Sequence, residues 1–474
     1  MADLIIAHGF VITMNDERAM IEDGAVAIEK DRIVDVGPSA EVLSRHQAPE
    51  IIDASRMAVI PGLIDAHAHA GHGLIKTLGA GDSEAWYHAC ELAYTVASTP
   101  EFWRAEARLA ALERLKFGAT AGVSLLGGGD TILRTDDPAY GDAHCQGVAE
   151  VGVRSVVAVG PTRPPHPRTY ARWRGESAER FPVDFARQMR TCETLIERWH
   201  GAHGQRLNIA LITPTLRAEH ARDLAAADFE AAKTQAQQVQ AMARARGLIF
   251  TQDGHTAGSV AFAHELGVLG PNALLSHATD LSQEEIRICA DTGAMIAHNP
   301  SAIASVLGRC PAIELMQAGV TVALGSDATA PDRSADMFRH MQQAMHYHRR
   351  HFRDPAVLPV GRTLQMCTRD GARALGLDRD IGALEKGRKA DVVLVDLARP
   401  HLYPPNMPLF RLVCFANGAD VNTVIVDGRV ALRDRRPTFV DEAEVLADAA
   451  RECDLMLARA GLTDLKQIPA RVWG

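Results

Sequence analysis

The feature that most constrains this chain is a recurrence in its middle. Eight short apolar runs of strand length follow one another at Ala58–Asp65, Ala119–Leu125, Val153–Gly160, Leu207–Thr213, Gly247–Gln252, Ala273–His277, Ala294–His298 and Val320–Ser326. Helix-like stretches such as Pro100–Lys116 and Phe229–Arg246 separate most of them. Strands alternating with helices make βα units and a parallel sheet. Eight units predict an α/β fold in which the sheet closes into a (β/α)8 TIM barrel. A barrel of this kind takes about 250 residues. The chain has 474, so a second, smaller unit is expected.

The two ends supply it. Leu4–Thr13 and Ala25–Val36 are β-rich runs separated by Asn15-Asp16 and Asp23-Gly24. The same texture returns at Ala390–Asp396 and Asn422–Leu432, with a turn at Asp427-Gly428. These predict a small β-sandwich made from residues 1–57 and 384–474, flanking a barrel at 58–383. The segment from Asp441 reads as a terminal helix docked on the outside. Arg163–Phe181 is rich in Pro, Arg and aromatic residues without a clear period, and reads as a long loop over the barrel mouth.

Composition narrows the partners. Lysine and arginine number 50 against 59 aspartates and glutamates, for a net charge of -9. That balance argues against nucleic acid and anionic membrane surfaces. No run approaches the roughly 18 apolar residues that span a bilayer. The segment Met1–Glu17 has no basic stretch and too short an apolar run for a signal peptide, so a cytoplasmic protein is expected. The 8 cysteines form no CxxC pair and read as reduced core thiols.

The chemistry-bearing residues gather at strand ends. In Pro61-Gly62-Leu63-Ile64-Asp65-Ala66-His67-Ala68-His69 an apolar strand runs straight into a His-x-His pair. Residues i and i+2 of a strand share a face, so both imidazoles can converge on one ion. Strand C-terminal ends are where barrel active sites lie. Val322-Ala323-Leu324-Gly325-Ser326-Asp327 ends the last unit in a carboxylate. Alone it would read as a helix cap; beside the histidine pair it reads as a metal ligand and proton acceptor. His277 and His298 end two further strands.

At these residues the chain resembles the amidohydrolase superfamily, and within it the deaminase and chlorohydrolase branch. PGLIDAHAH, the Gly118–Thr120 GAT, HNPSA at His298–Ala302, VALGSD at Val322–Asp327 and the late GALEKGRKADVVLVD match in order over nearly the whole chain. The resemblance implies a metal-dependent hydrolase with His67 and His69 as ligands and Asp327 as ligand and proton acceptor. It implies that His277 orients or polarises water and substrate, or binds metal itself. No Lys ends the fourth strand, so one divalent ion is expected: zinc first, with manganese, cobalt or iron as alternatives. A homodimer or higher homo-oligomer acting on a small molecule is also expected.

The fifth strand departs from the pattern. The branch ends it with a His ligand and, three residues later, a proton-shuttling Glu. Here Gln252 stands at the first place and His255 at the second. Glutamine is a poor zinc ligand. Gln252, His255 and His277 therefore compete to complete the metal shell. The variant strand and the Thr329–Ser334 loop are similar to phenylurea and molinate hydrolases.

Without that Glu, the residues point first to C–N cleavage in a small amide, urea or carbamate. Asp327, His277 and His255 are the expected catalytic groups. The alternatives are an aminohydrolase or chlorohydrolase on a purine, pyrimidine or triazine ring and, from another class, a barrel that binds a ligand without catalysis. If the His-x-His reading holds, His67→Ala or His69→Ala abolishes turnover and lowers bound metal. Full metal content with normal turnover in either variant would remove the pair from the site.

Overall fold

The computed structural model describes residues 2–78, 82–304, 306–327, 330, 333–468 and 473. Its centre is a parallel sheet of eight strands in chain order. They are Leu63–Asp65, Ala119–Leu125, Arg154–Val159, Leu207–Ile212, Phe250–Gln252, Ala273–Ser276, Met295–His298 and Val322–Leu324. Period-two alternation explains how they pack. Ala121, Val123 and Leu125, Val156 and Ala158, and Ala210 and Ile212 fill one buried cluster inside the sheet. Val157, Val159, Leu211 and Phe250 belong instead to the larger cluster that holds the helices. The inner residues are aliphatic and fill the barrel interior as a packed core.

Closure is made by three backbone hydrogen bonds between the first and last strands. Ala66 N–H donates to Leu324 O at 2.9 Å, Asp327 N–H to His67 O at 2.8 Å and His69 N–H to Asp327 O at 3.0 Å. Asp65 reinforces the seam. Its carboxylate accepts from Ser326 N–H and Ser326 Oγ, both at 2.8 Å. The buried Arg114 guanidinium sits 3.1 Å away on the other side.

The chain ends form one nine-stranded sheet. Its halves join where Val392–Asp396 pairs antiparallel with Met57–Pro61. The sequence run read as one strand from Ala58 to Asp65 is thus two. The first part serves the end sheet, and Gly62 separates it from the barrel strand. A side chain at Gly62 would meet Thr120 Oγ1 at 1.9 Å, so only glycine lets the chain pass. Ile6, Val26 and Ile28 from one end and Val392, Leu394 and Ile425 from the other bury into one cluster.

Two further expectations meet the structure. The terminal helix, Glu442–Ala460, is capped by Asp441 and lies on Pro100–Lys116. There Arg108 pairs with Glu444 at 3.0 Å and Asp448 at 2.8 Å. The Arg163–Phe181 stretch is no plain loop. It carries a hairpin, Arg168–Arg174 with Ser177–Val183, turned by Gly175 at φ +62°. The turn has two residues, and glycine at its first position supplies the positive φ it needs. Buried Tyr170 and half-buried Trp173 anchor it through hydrogen bonds to Leu133 O at 2.7 Å and Val96 O at 2.8 Å. Among the described residues no helix is long and apolar enough to cross a membrane, and all 8 cysteines are unpaired.

A buried charge network bolts the end sheet to the barrel. Arg154, opening the third barrel strand, donates to Asp391 at 2.7 and 3.0 Å and to Asp427 at 2.7 Å. Asp427 also pairs with Arg206 and Lys389, each at 3.2 Å, but removing Arg154 leaves the buried Asp391 without its guanidinium, typically at a cost of about 3–5 kcal/mol. Arg154→Ala should lower the unfolding free energy by about that amount in chemical denaturation. An unchanged midpoint would show that the bolt carries no stability.

Candidate metal centre

The closure seam builds the site. His67 and His69 leave the first strand and Asp327 leaves the last, and the seam's hydrogen bonds hold them together. Asp327 pays for this position with a left-handed backbone, φ +66°, and His277 on the neighbouring rim has the same angle. Such conformations cost non-glycine residues about 1–3 kcal/mol and gather at functional sites.

Four of the sequence-predicted groups converge. Asp327 Oδ1 lies 3.6 Å from His67 Nε2, 3.4 Å from His69 Nε2 and 3.6 Å from His277 Nε2. All four residues are buried. A fifth group, absent from the sequence reading, joins them. Asp253 Oδ1 lies 3.2 Å from His67 Nε2 and 3.3 Å from His277 Nε2, and its Oδ2 3.3 Å from His69 Nε2. The sets His67, His277, Asp327 and His67, His69, Asp253 each bring their donor atoms within 4.8 Å of one another.

Gln252 and His255 turn to other partners. The Gln252 amide donates to Thr213 Oγ1 and Pro214 O, both at 3.2 Å. His255 Nδ1 lies 2.9 Å from Ser259 Oγ, while that hydroxyl donates to Thr256 O at 2.6 Å. The hydroxyl hydrogen is therefore spent, so Nδ1–H donates and Nε2 keeps its lone pair. That Nε2 is buried without a hydrogen-bond partner, and burial pushes the imidazole down to about 3. His298 faces the helix Met337–Phe352, with its Nε2 3.1 Å from His348 Nε2. Of the strand-eight loop, Thr329, Pro331 and Asp332 lie outside the described residues.

Register explains Asp253. Thr251 pairs with Ile212 and Leu274, both lining the barrel interior. Gln252 pairs with Leu275, which faces the helices. Two residues beyond Thr251, Asp253 returns to the interior. The same i, i+2 argument that selected His67 and His69 would have found it, had the strand been phased on its outward Phe250.

The donors fit a cation. His67 Nε2 is buried and has no hydrogen-bond partner. His69 Nδ1 lies 2.8 Å from Gly127 O, and donating to that carbonyl fixes the tautomer and leaves the Nε2 lone pair for a ligand. Burial disfavours a charged His69 imidazole, but Asp253 and Asp327 outweigh it and raise the group to about 10. At His277 the same contest ends at about 9. Burial works against both carboxylates, yet the surrounding imidazoles hold them well below the usual range. Arg333 Nη1, 3.6 Å from Asp327 Oδ2, adds a buried positive charge that the sequence reading missed.

The amidohydrolase family pattern matches residues 58–431, and an imidazolonepropionase-like composite domain pattern of bacteria matches residues 24–46. The chain belongs to the amidohydrolase family. It is 32% identical over 443 residues to the 5-methylthioadenosine/S-adenosylhomocysteine deaminase of Desulforudis audaxviator, covering 90% of this chain and 94% of that protein. It is 29% identical over 467 residues to the 5'-deoxyadenosine deaminase of Methanosarcina mazei, covering 97% and 99%. A zinc-bound adenosine deaminase from Xanthomonas campestris shares its fold, with TM-score 0.82, 22% identity and coverage of 96% and 99%.

Gly129, at φ +80°, presses on this amidohydrolase centre from the second strand's loop. A methyl group there would sit 3.0 Å from Asp253 Oδ2 and 3.7 Å from His69 Cε1. Gly129→Ala should keep the fold but weaken divalent-metal affinity at least about tenfold, the scale seen when a ligand's support is disturbed. Chelator competition measures this. Unchanged affinity would mean that the loop does not press on the centre.

Proposed function

We propose that this protein hydrolytically deaminates an amino-substituted heterocycle of the adenine type. The observation that carries the reading is the full-length similarity to deaminases of 5'-deoxyadenosine and 5-methylthioadenosine. This reverses the preference drawn from the fifth strand alone. His67, His69, His277 and Asp327 would hold a divalent ion, with zinc the first candidate because the Xanthomonas relative binds it. When bound, such an ion supplies Lewis-acid activation of water.

The chain's own groups manage the protons. The water oxygen bonds to the carbon bearing the amino group, the C–N bond breaks and ammonia leaves. One water proton ends on the leaving nitrogen and the other on the ring nitrogen. Asp327 is the acceptor for the first transfer, and the adjacent Arg333 guanidinium favours its ionised form at the start. His255 Nε2, an unshared lone pair, stands three residues after Gln252, where the branch places its proton-shuttling Glu. Burial keeps that imidazole neutral, so it can accept a hydrogen bond from water and orient it rather than carry its proton.

One observation favours a second reading. No carboxyl group stands at position 255, and an amide, urea or carbamate needs no proton delivered to a ring. The test is to give the metal-loaded protein 5'-deoxyadenosine, 5'-methylthioadenosine and S-adenosylhomocysteine, beside an aryl urea, an alkyl carbamate and an aminotriazine. Ammonia released with loss of the adenine chromophore supports deamination. Turnover of only the urea or carbamate gives the second reading. No turnover by metal-loaded protein overturns both and points to a ligand-binding barrel. On whichever substrate turns over, Asp327→Asn should keep the fold and cost about 10²–10⁴-fold in rate. A rate within a few-fold of the parent would take Asp327 out of the proton path.

A further inference from the structure

We propose that Asp253 supplies the fifth-strand metal ligand, so that the centre sets two carboxylates and three imidazoles around one divalent ion. This rests on the metal-dependent reading above and adds a ligand, and a charge, to it.

The separations fit a shared ion. Two donors each about 2.0–2.2 Å from a metal lie roughly 3.0–3.5 Å apart at the angles of tetrahedral or octahedral shells. Asp253 stands at 3.2 and 3.3 Å from His67 and His277 through Oδ1, and at 3.3 Å from His69 through Oδ2. Its neighbours hold it there. Ser276 Oγ donates to Oδ1, Gly254 N–H donates to that same Ser276 Oγ at 3.1 Å, and Thr215 Oγ1 donates to the Asp253 carbonyl at 2.6 Å. Gly129 closes the remaining side, at the distance where a Cβ would crowd Oδ2.

Charge points the same way. No lysine or arginine pairs with Asp253 among the described ion pairs; its partners there are His67, His69 and His277. The Asp253 side chain is only 18% exposed, and a carboxylate so shielded from water is costly without a cation. Two carboxylates, Asp253 and Asp327, balance a dication. The swap also changes the donor's character, because carboxylates suit manganese better than imidazole does, whereas imidazole suits zinc. Asp253 therefore sets how strongly the centre prefers zinc over manganese.

The test compares the full-length protein with Asp253→Asn, Asp253→His and Gln252→Ala, titrating Zn²⁺ and Mn²⁺ against a chromophoric chelator and measuring metal content after dialysis. Asp253→Asn should weaken both metals by more than about 100-fold, beyond the loss typical of a group that only supports a ligand. Gln252→Ala should stay within a few-fold. Asp253→His, which supplies a replacement donor and decides the matter if the Asn variant is unstable, should raise the ratio of zinc to manganese affinity at least tenfold. Metal retained by Asp253→Asn but lost by Gln252→Ala would move the ligand to Gln252 and overturn the proposal. An unchanged zinc-to-manganese ratio in Asp253→His would overturn it too. These readouts need no substrate. A protein that binds metal through Asp253 yet deaminates nothing would sink the functional reading alone.

Discussion

Everything at the site depends on the seam where the barrel closes. The first and last strands are each only three residues long. They meet through Ala66 N–H to Leu324 O, Asp327 N–H to His67 O and His69 N–H to Asp327 O. These bonds complete the sheet and, in the same act, set two imidazoles against one carboxylate. Asp327 exchanges both its backbone groups with the histidine segment, which is why it accepts a left-handed backbone. Asp65 and Arg114 brace the seam from the outer side, away from the barrel interior. Fold and site thus share their hydrogen bonds, and a change that loosens closure also disperses the donors.

Within that frame, burial sets the electrostatic terms. Asp253, Asp327 and three histidines lie at donor distances, all of them buried except the partly exposed Asp253. Low dielectric strengthens every attraction among them and penalises any unbalanced charge. The carboxylates favour positive charge among them, whether a proton on an imidazole or a dication on the whole set. Protons and metal therefore compete for the same lone pairs. His69 enters that contest with its tautomer fixed by Gly127 O, so its Nε2 is the end offered.

The sequence made much of this legible because the relevant signals were local. The interior and exterior faces of the second to fourth strands follow period-two alternation, and the i, i+2 spacing puts His67 and His69 on one face, although the interior phase of their own strand falls on Ile64 and Ala66. Non-local events were harder to read. Nothing in the run Ala58–Asp65 says that its first half pairs with Val392–Asp396, because that partner arrives more than 300 residues later. The 168–183 hairpin lacked apolar alternation because its side chains dock individually, Tyr170 on Leu133 and Trp173 on Val96. Arg333 reaches Asp327 from a loop without any repeating pattern.

The fifth strand shows why matching a motif and phasing a strand can disagree. Counting back three residues from the position of the branch's Glu falls on Gln252, a residue in register with Leu275 and facing the helices. Adjacent residues on a strand point to opposite faces. A ligand lost at one position therefore cannot be recovered from its neighbour unless the chain leaves the regular strand. Here it does so at once. The strand ends at Gln252, Gly254 takes φ +81°, and His255 N–H bonds to Ser276 O on the sixth strand. The bend frees Asp253 to follow the interior phase of Thr251 instead of any alignment. His255 is in neither donor set, and its Nε2 is buried and unshared. A three-residue strand followed by a glycine turn is thus enough to bring a carboxylate, where the branch has an imidazole, against His67, His69 and His277. The position three residues after Gln252 holds a neutral imidazole, and the eight-stranded frame keeps its register.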